Sequence, residues 1–495
     1  MLNTNKKIIW LLGGFLLIEA LSFLSFVYPL ISPFVFGLLF LASLAVSIYS
    51  LEYGLLIILA ELLIGSMGHL FYFSVGAYQL PIRIAIWSGL MAVFVIKFVG
   101  QLIKNKNTSE YWQRIRNFPL LKYFLILFAL IIVGLANGFL RHHGLATIFN
   151  DFNAWLYFLL LFPLIAVYGH VDEGKLNRLR LVFLSGALWL SLETLFLLFV
   201  FTHNLSFTTE IYNWLRRTIV GEVTPTLSGW PRIFIQSQIY PAIAFFIIFW
   251  WRQTKAFTQK FFSSKNIGLM FMAGLFISSV LISFSRSFWV GLIVALVFAL
   301  IIIVRLSGFR KIFKPFLWLG VSGIIGFILI YIVAIFPFPA PGAFSADFLS
   351  RLRSENDAAV ASRWSLLPVL VKAIIKEPFL GQGYGATVTY YSRDPRILQQ
   401  NPSGLYTTYA FEWNYLDLWL KIGIIGLLAY ILLLFKILAL AWPKKGLALD
   451  YLKLGLSTGL VFLAATNLFT PYLNHPLGIG FLLLASCLIS ADRVY

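Results

Sequence analysis

The chain has 495 residues, of which 60% are hydrophobic and only 12% charged, with a formal net charge of +19. No soluble domain of this size hides that much apolar surface, so composition excludes a water-soluble protein and defines an all-α, polytopic membrane protein. The basic residues cluster mostly at one set of helix ends, as the positive-inside rule requires, which excludes nucleic acid as the reason for the charge.

The first apolar run, near 8–28, follows Lys6 and Lys7 and reaches Tyr28-Pro29 without a small-residue cleavage site. It reads as a retained helix and not as a removed signal peptide. At about 20 residues per crossing, further segments follow near 30–49, 51–66, 80–100, 119–139, 149–169, 181–202, 232–251, 267–284, 287–304, 314–336, 411–435, 454–470 and 476–491. The third and the last two are short, so the expectation is about 12–14 transmembrane helices. With Lys6 and Lys7 in the cytoplasm, alternation gathers most lysines and arginines at inner ends, in LIKNKNTSEYWQRIRN, EGKLNRLR, WRQTKAFTQKFFSSK, RLSGFRKIFK and AWPKKGLALDYLK. Both termini are then cytoplasmic. The outer face receives two long connections, 203–231 and 337–410. The chain thus divides into N-terminal helices (1–202), helices with a first external loop (203–336), a large external loop (337–410) and C-terminal helices (411–495).

The large loop carries Arg351, Arg353, Arg363, Lys372, Lys376, Arg393 and Arg396, largely balanced by Asp347, Glu355, Asp357, Glu377 and Asp394. Within it, ASRWSLLPVLVKAIIKEPF places Trp364, Leu367, Val371, Ile374 and Ile375 at helical spacing. That pattern predicts an amphipathic helix on the membrane, with Arg363, Lys372 and Lys376 toward the headgroups. GQGYGA (Gly381, Gly383, Gly385) looks like a phosphate loop but lacks the following Lys-Ser/Thr, and reads as a flexible turn back to the membrane.

Three outer-face stretches carry candidate chemistry. In GWPRIFIQSQIYPAIA, Arg232 stands at the mouth of a helix after a Gly-Trp-Pro turn; in SFSRSFWVGL, Arg286 lies between two apolar runs with almost no loop. An arginine so near hydrocarbon needs an anion or a partner, and guanidinium forks match phosphate oxygens; snorkelling to lipid phosphates is the plainer use. In FEWNYLDLWLKIGIIGLL, Glu412 and Asp417 stand at the surface end of an apolar span. A carboxylate partly withdrawn from water can act as a general base, or can simply pair with a loop arginine. Glu19, Glu61 and Glu193 lie inside predicted spans, which is unusual enough to mark them as candidates for proton coupling. His142-His143 has no further ligand spacing nearby, so no metal site is expected. The lone Cys487 leaves no intramolecular disulfide.

In order, Arg232, then Ser285-Arg286 with Gly291, then Arg363 with Pro378-Phe379-Leu380-Gly381-Gln382-Gly383, then Tyr415-Leu416 with Gly423 and Gly426 resemble the motifs of the O-antigen ligase and O-antigen polymerase superfamily of bacterial envelope glycosyltransferases, over roughly 225–435. The resemblance implies a GT-C-like membrane fold with one large external loop before a signature helix. It also implies transfer of a glycan from a polyprenyl-diphosphate carrier to a glycan or lipid acceptor at the outer face of the cytoplasmic membrane, without metal, cofactor or nucleic acid. By that resemblance Arg232 and Arg286 hold the diphosphate; Arg363, Arg351, Arg353 and Asn414 are expected as further substrate contacts. The family histidine falls at Glu412, which a glutamate can replace as base; the missing histidine tilts the reading toward polymerase. The rival class is a transporter or lipid-linked glycan flippase that uses Glu61 or Glu193 for coupling.

Overall fold

The computed structural model describes residues 4–76, 78–104, 110–226, 229–255, 261–309, 312–337, 358–443 and 449–493. Its helices follow the apolar runs in chain order: α1 (Thr4–Val27), α2 (Ser32–Tyr49), α3 (Leu51–Ile64), α4 (Ile82–Lys104), α5 (Leu121–Leu140), α6 (Leu145–Tyr168, with a 3-10 stretch inside), α7 (Glu173–Thr202), α8 (Ile239–Lys255), α9 (Ser264–Ile282), α10 (Arg286–Ser307), α11 (Phe313–Ile335), α12 (Asn414–Ala441), α13 (Tyr451–Thr466) and α14 (Pro476–Ser490). Among the described residues, ten helices are long and apolar enough to cross a membrane. The others are α3, α8, α13 and α14, of 14, 17, 16 and 15 residues.

The short helices are short because they are internal. Every residue of α14 from Leu477 to Ile489 is buried, and α13 packs against both α8 and α10. A helix that is apolar all round belongs inside a bundle, where it need not match the full thickness of lipid. Elsewhere small residues let helix backbones approach: α9 meets α11 where a Cβ on Gly326 would stand 2.8 Å from the carbonyl oxygen of Gly274. Helix starts carry their own stop-water groups. Asp172 accepts from Lys175 N at 2.8 Å ahead of α7, and Asp450 accepts from Leu452 N and Lys453 N at 3.0 and 3.2 Å ahead of α13.

Short sheets decorate the bundle ends, none of them anticipated from the apolar pattern. They are β1 (Tyr72–Val75) with β2 (Tyr78–Pro81), β4 (Gly221–Pro225) with β5 (Pro231–Ile235) and β6 (Val388–Tyr391) with β7 (Leu405–Thr408), all antiparallel. The parallel pair of β3 (His170–Val171) with β8 (Asp492–Arg493) ties the connection before α7 to the strand after α14, so both lie at one end of the bundle. The expected helix near 232–251 is corrected at its start: residues 231–235 are strand, and α8 begins only at Ile239.

His475 caps α14, its Nδ1 accepting from Leu477 N at 3.3 Å ahead of Pro476. Withdrawal from water, and then the Arg83 charge, push its pKa from 6.5 down to about 3. An unfolded chain takes up that proton near pH 6.5 while the folded one does not, so His475 favours folding above that pH and costs stability as pH falls toward 3. The detergent-solubilised protein should therefore melt at lower temperature at pH 5 than at pH 7, by a margin that His475→Gln reduces. An unchanged margin in the variant would remove His475 from the account.

Candidate functional site

The connection between α9 and α10 is only Ser283, Phe284 and Ser285, and Arg286 is the first residue of α10. Phe284 turns the chain at φ 46°. The β4–β5 hairpin lies against this turn. Its alternation buries Val223, Ile233 and Ile235 on one face. The opposite face carries Glu222, Thr224, Arg232 and Phe234, by the period of two. From there Arg232 Nε donates to the Ser283 carbonyl at 3.0 Å, and its guanidinium lies 5.2 Å from the Phe234 ring centre. The two arginines expected to work together are thus built on neighbouring backbone, Arg232 bonding three residues ahead of Arg286.

The second pair lies across the large loop. The amphipathic helix exists as Ala358–Lys376, but it has two apolar faces. Leu366, Leu370 and Ile374 pack with Ala386, Val388 and Phe411, whereas Trp364, Val371 and Ile375 are exposed. From this helix Arg363 Nε pairs with Glu412 Oε2, and Trp413 Nε1 donates to the Arg363 carbonyl at 3.0 Å. Glu412 is half-exposed in this pair, so it is more open to solvent than its place in the sequence suggested. Beside it, the Tyr390 phenol is raised above its ordinary pKa by burial first and by the Glu412 charge second.

One turn, 467–475, touches both groups. Ser287, next to Arg286, bonds Thr470 (Oγ to Oγ1, 2.8 Å), while the Phe469 ring packs on Trp413 at 5.5 Å. Asn467 Oδ1 holds the turn by accepting from Tyr472 N at 3.0 Å, Leu473 N at 2.8 Å and the Asn414 amide at 2.5 Å. Asn414, expected as a substrate contact, is fully buried and spends its amide on this turn. It thereby braces Asn467, the residue that satisfies the non-helical backbone of the turn. Arg351 and Arg353 lie outside the described residues.

The GQGYGA stretch is not a flexible turn. Helix α12 breaks at Gly423 (φ 70°, ψ 176°), which frees backbone groups on either side of it. Residues 378–383 take them up: Ile424 N donates to the Pro378 carbonyl at 2.9 Å, Gln382 N to Leu420 at 2.6 Å and Gly383 N to Lys421 at 3.1 Å. On the other side Tyr384 N donates to Gly134 of α5 at 3.1 Å. The segment is a wedge between α5 and α12, and it explains why glycines recur in both motifs.

Below the wedge lies a charge cluster that sequence reading only half found. Lys421 Nζ contacts Asp417 Oδ1 at 2.7 Å and also Asp151 Oδ1, with every side chain at or below 5% exposure. Asn474 of the 467–475 turn donates to Asp417 at 2.8 Å, and Gly385 N donates to Asp151 at 2.8 Å. Asp417 was visible as a carboxylate at a span end; Asp151 and Lys421 were not singled out. The available signal was Lys421 four residues after Asp417 in an apolar helix, where a lone cation demands a partner. Of the other intramembrane carboxylates, Glu61 pairs with buried Arg83 at 2.7 Å, and Glu19 accepts from Trp189 Nε1 at 2.6 Å. His143 uses Nδ1 on the Tyr384 carbonyl at 2.9 Å, and among the described residues no group of three metal-ligating side chains forms.

Fold and site together define a multi-pass, all-α membrane protein in which the segment of Arg286, Trp413 beside Glu412, and Asp417 meet one turn, 467–475. Residues 270–431, from α9 into α12, match the O-antigen ligase family, the resemblance that the motifs suggested. The match takes in Arg286, Arg363, the wedge and Glu412; Arg232 precedes it. No curated protein matches the chain.

Proposed function

We propose that this protein is a glycosyltransferase that moves a glycan from a polyprenyl-diphosphate carrier onto a second glycan or a lipid acceptor at the outer face of the cytoplasmic membrane. The match to the O-antigen ligase family over 270–431 carries this reading. It is supported by the 467–475 turn, which contacts the Arg286 segment through Thr470 and the Arg363–Glu412 unit through Phe469. In this scheme Arg232 and Arg286 bind the diphosphate, and Glu412 takes the proton of the acceptor hydroxyl. That oxygen attacks the anomeric carbon, the bond from that carbon to the phosphate oxygen breaks, and polyprenyl diphosphate leaves with the electron pair. The two guanidinium groups stabilise the charge growing on the leaving group, which is the task a metal ion performs elsewhere, so turnover should be indifferent to EDTA. Arg363 pairs with Glu412 and fixes the direction of its carboxylate.

The test is turnover by the reconstituted protein on a synthetic polyprenyl-diphosphate oligosaccharide, followed as release of lipid diphosphate. Arg286→Ala and Glu412→Gln should each slow it about a hundredfold, the usual effect of removing one charge-stabilising donor or one general base. Wild-type rates in both variants would overturn the assignment.

A further inference from the structure

We propose that a cavity beside the β4–β5 hairpin receives the sugar bonded directly to the carrier diphosphate; the proposal rests on the glycan-transfer reading above and adds a subsite to it. The cavity has a volume of about 250 Å³ and is lined in part by Arg216, Ile219, Glu222, Phe234 and Gln236. Sites for drug-sized ligands span roughly 300–1,000 Å³, so this one suits a single sugar ring better than a whole repeat unit.

Hairpin register sets its place. Glu222 pairs with Phe234 and Thr224 with Arg232, which puts Glu222, Phe234 and Arg232 on one face, Arg232 two residues from the cavity wall. Arg232 is itself bonded to the turn that begins Arg286. A sugar linked to a diphosphate held by these arginines would therefore meet the cavity first. Gln236 joins the cavity to the 467–475 turn, since the Tyr472 hydroxyl donates to its backbone carbonyl at 3.0 Å and to its Oε1 at 3.2 Å.

The lining chemistry selects a sugar over a free anion. Arg216 and Glu222 stand 3.4 Å apart at the end of helix Thr208–Arg217 and on β4, both part-exposed. Together they offer donors and acceptors, and a sugar hydroxyl is both. The Gln236 amide adds two N–H donors. Phe234 supplies an apolar wall suited to the C–H face of a ring. A free phosphate would find a carboxylate in the wall and only one arginine, which repels as much as it attracts.

The experiment is equilibrium binding in detergent of farnesyl diphosphate and of farnesyl diphosphates carrying a hexose or an N-acetylhexosamine. Wild type should hold at least one glycosylated probe more tightly than the bare diphosphate. Arg216→Ala and Glu222→Gln should each weaken that probe by about tenfold, the worth of one hydrogen bond to a charged group, and leave bare farnesyl diphosphate unchanged. Both variants break a part-exposed ion pair, which carries little stability, so they should stay folded. The subsite is overturned if wild type binds glycosylated and bare probes equally, or if both variants keep the glycosylated advantage. Arg232→Ala should weaken every probe; if it weakens none, the diphosphate cradle itself is wrong, a failure distinct from that of the sugar subsite.

Discussion

Replacing Gly383 by alanine is expected to leave little folded protein. The residue has φ 91°, a left-handed conformation that costs an L side chain about 1–2 kcal/mol. The larger cost is steric, because a Cβ there would overlap the backbone nitrogen of Gly138, which rigid helix α5 cannot move. Relief requires withdrawing the wedge, and that strands Gly383 N and the Lys421 carbonyl as well as Tyr384 N. Each buried backbone group left unpaired costs about 1–3 kcal/mol. The sum exceeds about 4 kcal/mol, a large share of the 5–15 kcal/mol that keeps a typical domain folded. Gly320→Ala is the control, since a Cβ at that position in α11 meets nothing within 4 Å. Detergent extraction followed by size-exclusion chromatography and thermal melting should show a monodisperse Gly320→Ala and a lost or low-melting Gly383→Ala. Equal melting of the two would mean that the wedge does not depend on this close approach.

What the sequence disclosed follows from which forces leave a local trace. Lipid demands long apolar runs, so the helices were legible one by one, and α14 was legible even as a short segment. The amphipathic helix Ala358–Lys376 was legible as a helix, but its buried face was not, because Leu366 and Ile375 look alike until Phe411 and Val388 are known to lie beneath one of them. The hairpins were missed for a related reason: PRIFI alternates for only five residues before an apolar helix, and the longer apolar signal absorbed it. The wedge could not be read at all. Its hydrogen bonds join residues 378–384 to 134, 420, 421 and 424, and nothing in a glycine's chemistry names a partner so far along the chain. Asn414 shows a further long-range dependence: its amide nitrogen is held by Asn467, 53 residues along the chain.

Lys421→Met should strongly destabilise the protein from within α12. A methionine fills nearly the same volume, so packing is not the issue; charge is. Lys421 contacts Asp151 and Asp417, all three withdrawn from water, and its removal leaves two carboxylates facing each other inside the bundle. Breaking a buried ion pair by deleting one partner costs about 3–5 kcal/mol, because the remaining charge stays desolvated. Here the cluster also spans the site: Asp151 is bound to Gly385 at the wedge and Asp417 to Asn474 in the 467–475 turn, so repulsion between them would displace the segments that flank Arg286 and Glu412. Adding Asp417→Asn to Lys421→Met removes one of the two stranded charges while keeping an oxygen for Asn474 to bond, and should restore part of the lost melting temperature. A double-mutant cycle on the purified protein measures this coupling. If Lys421→Met alone melts with the wild type, the carboxylates have another counter-charge and the cluster is not what fixes the turn.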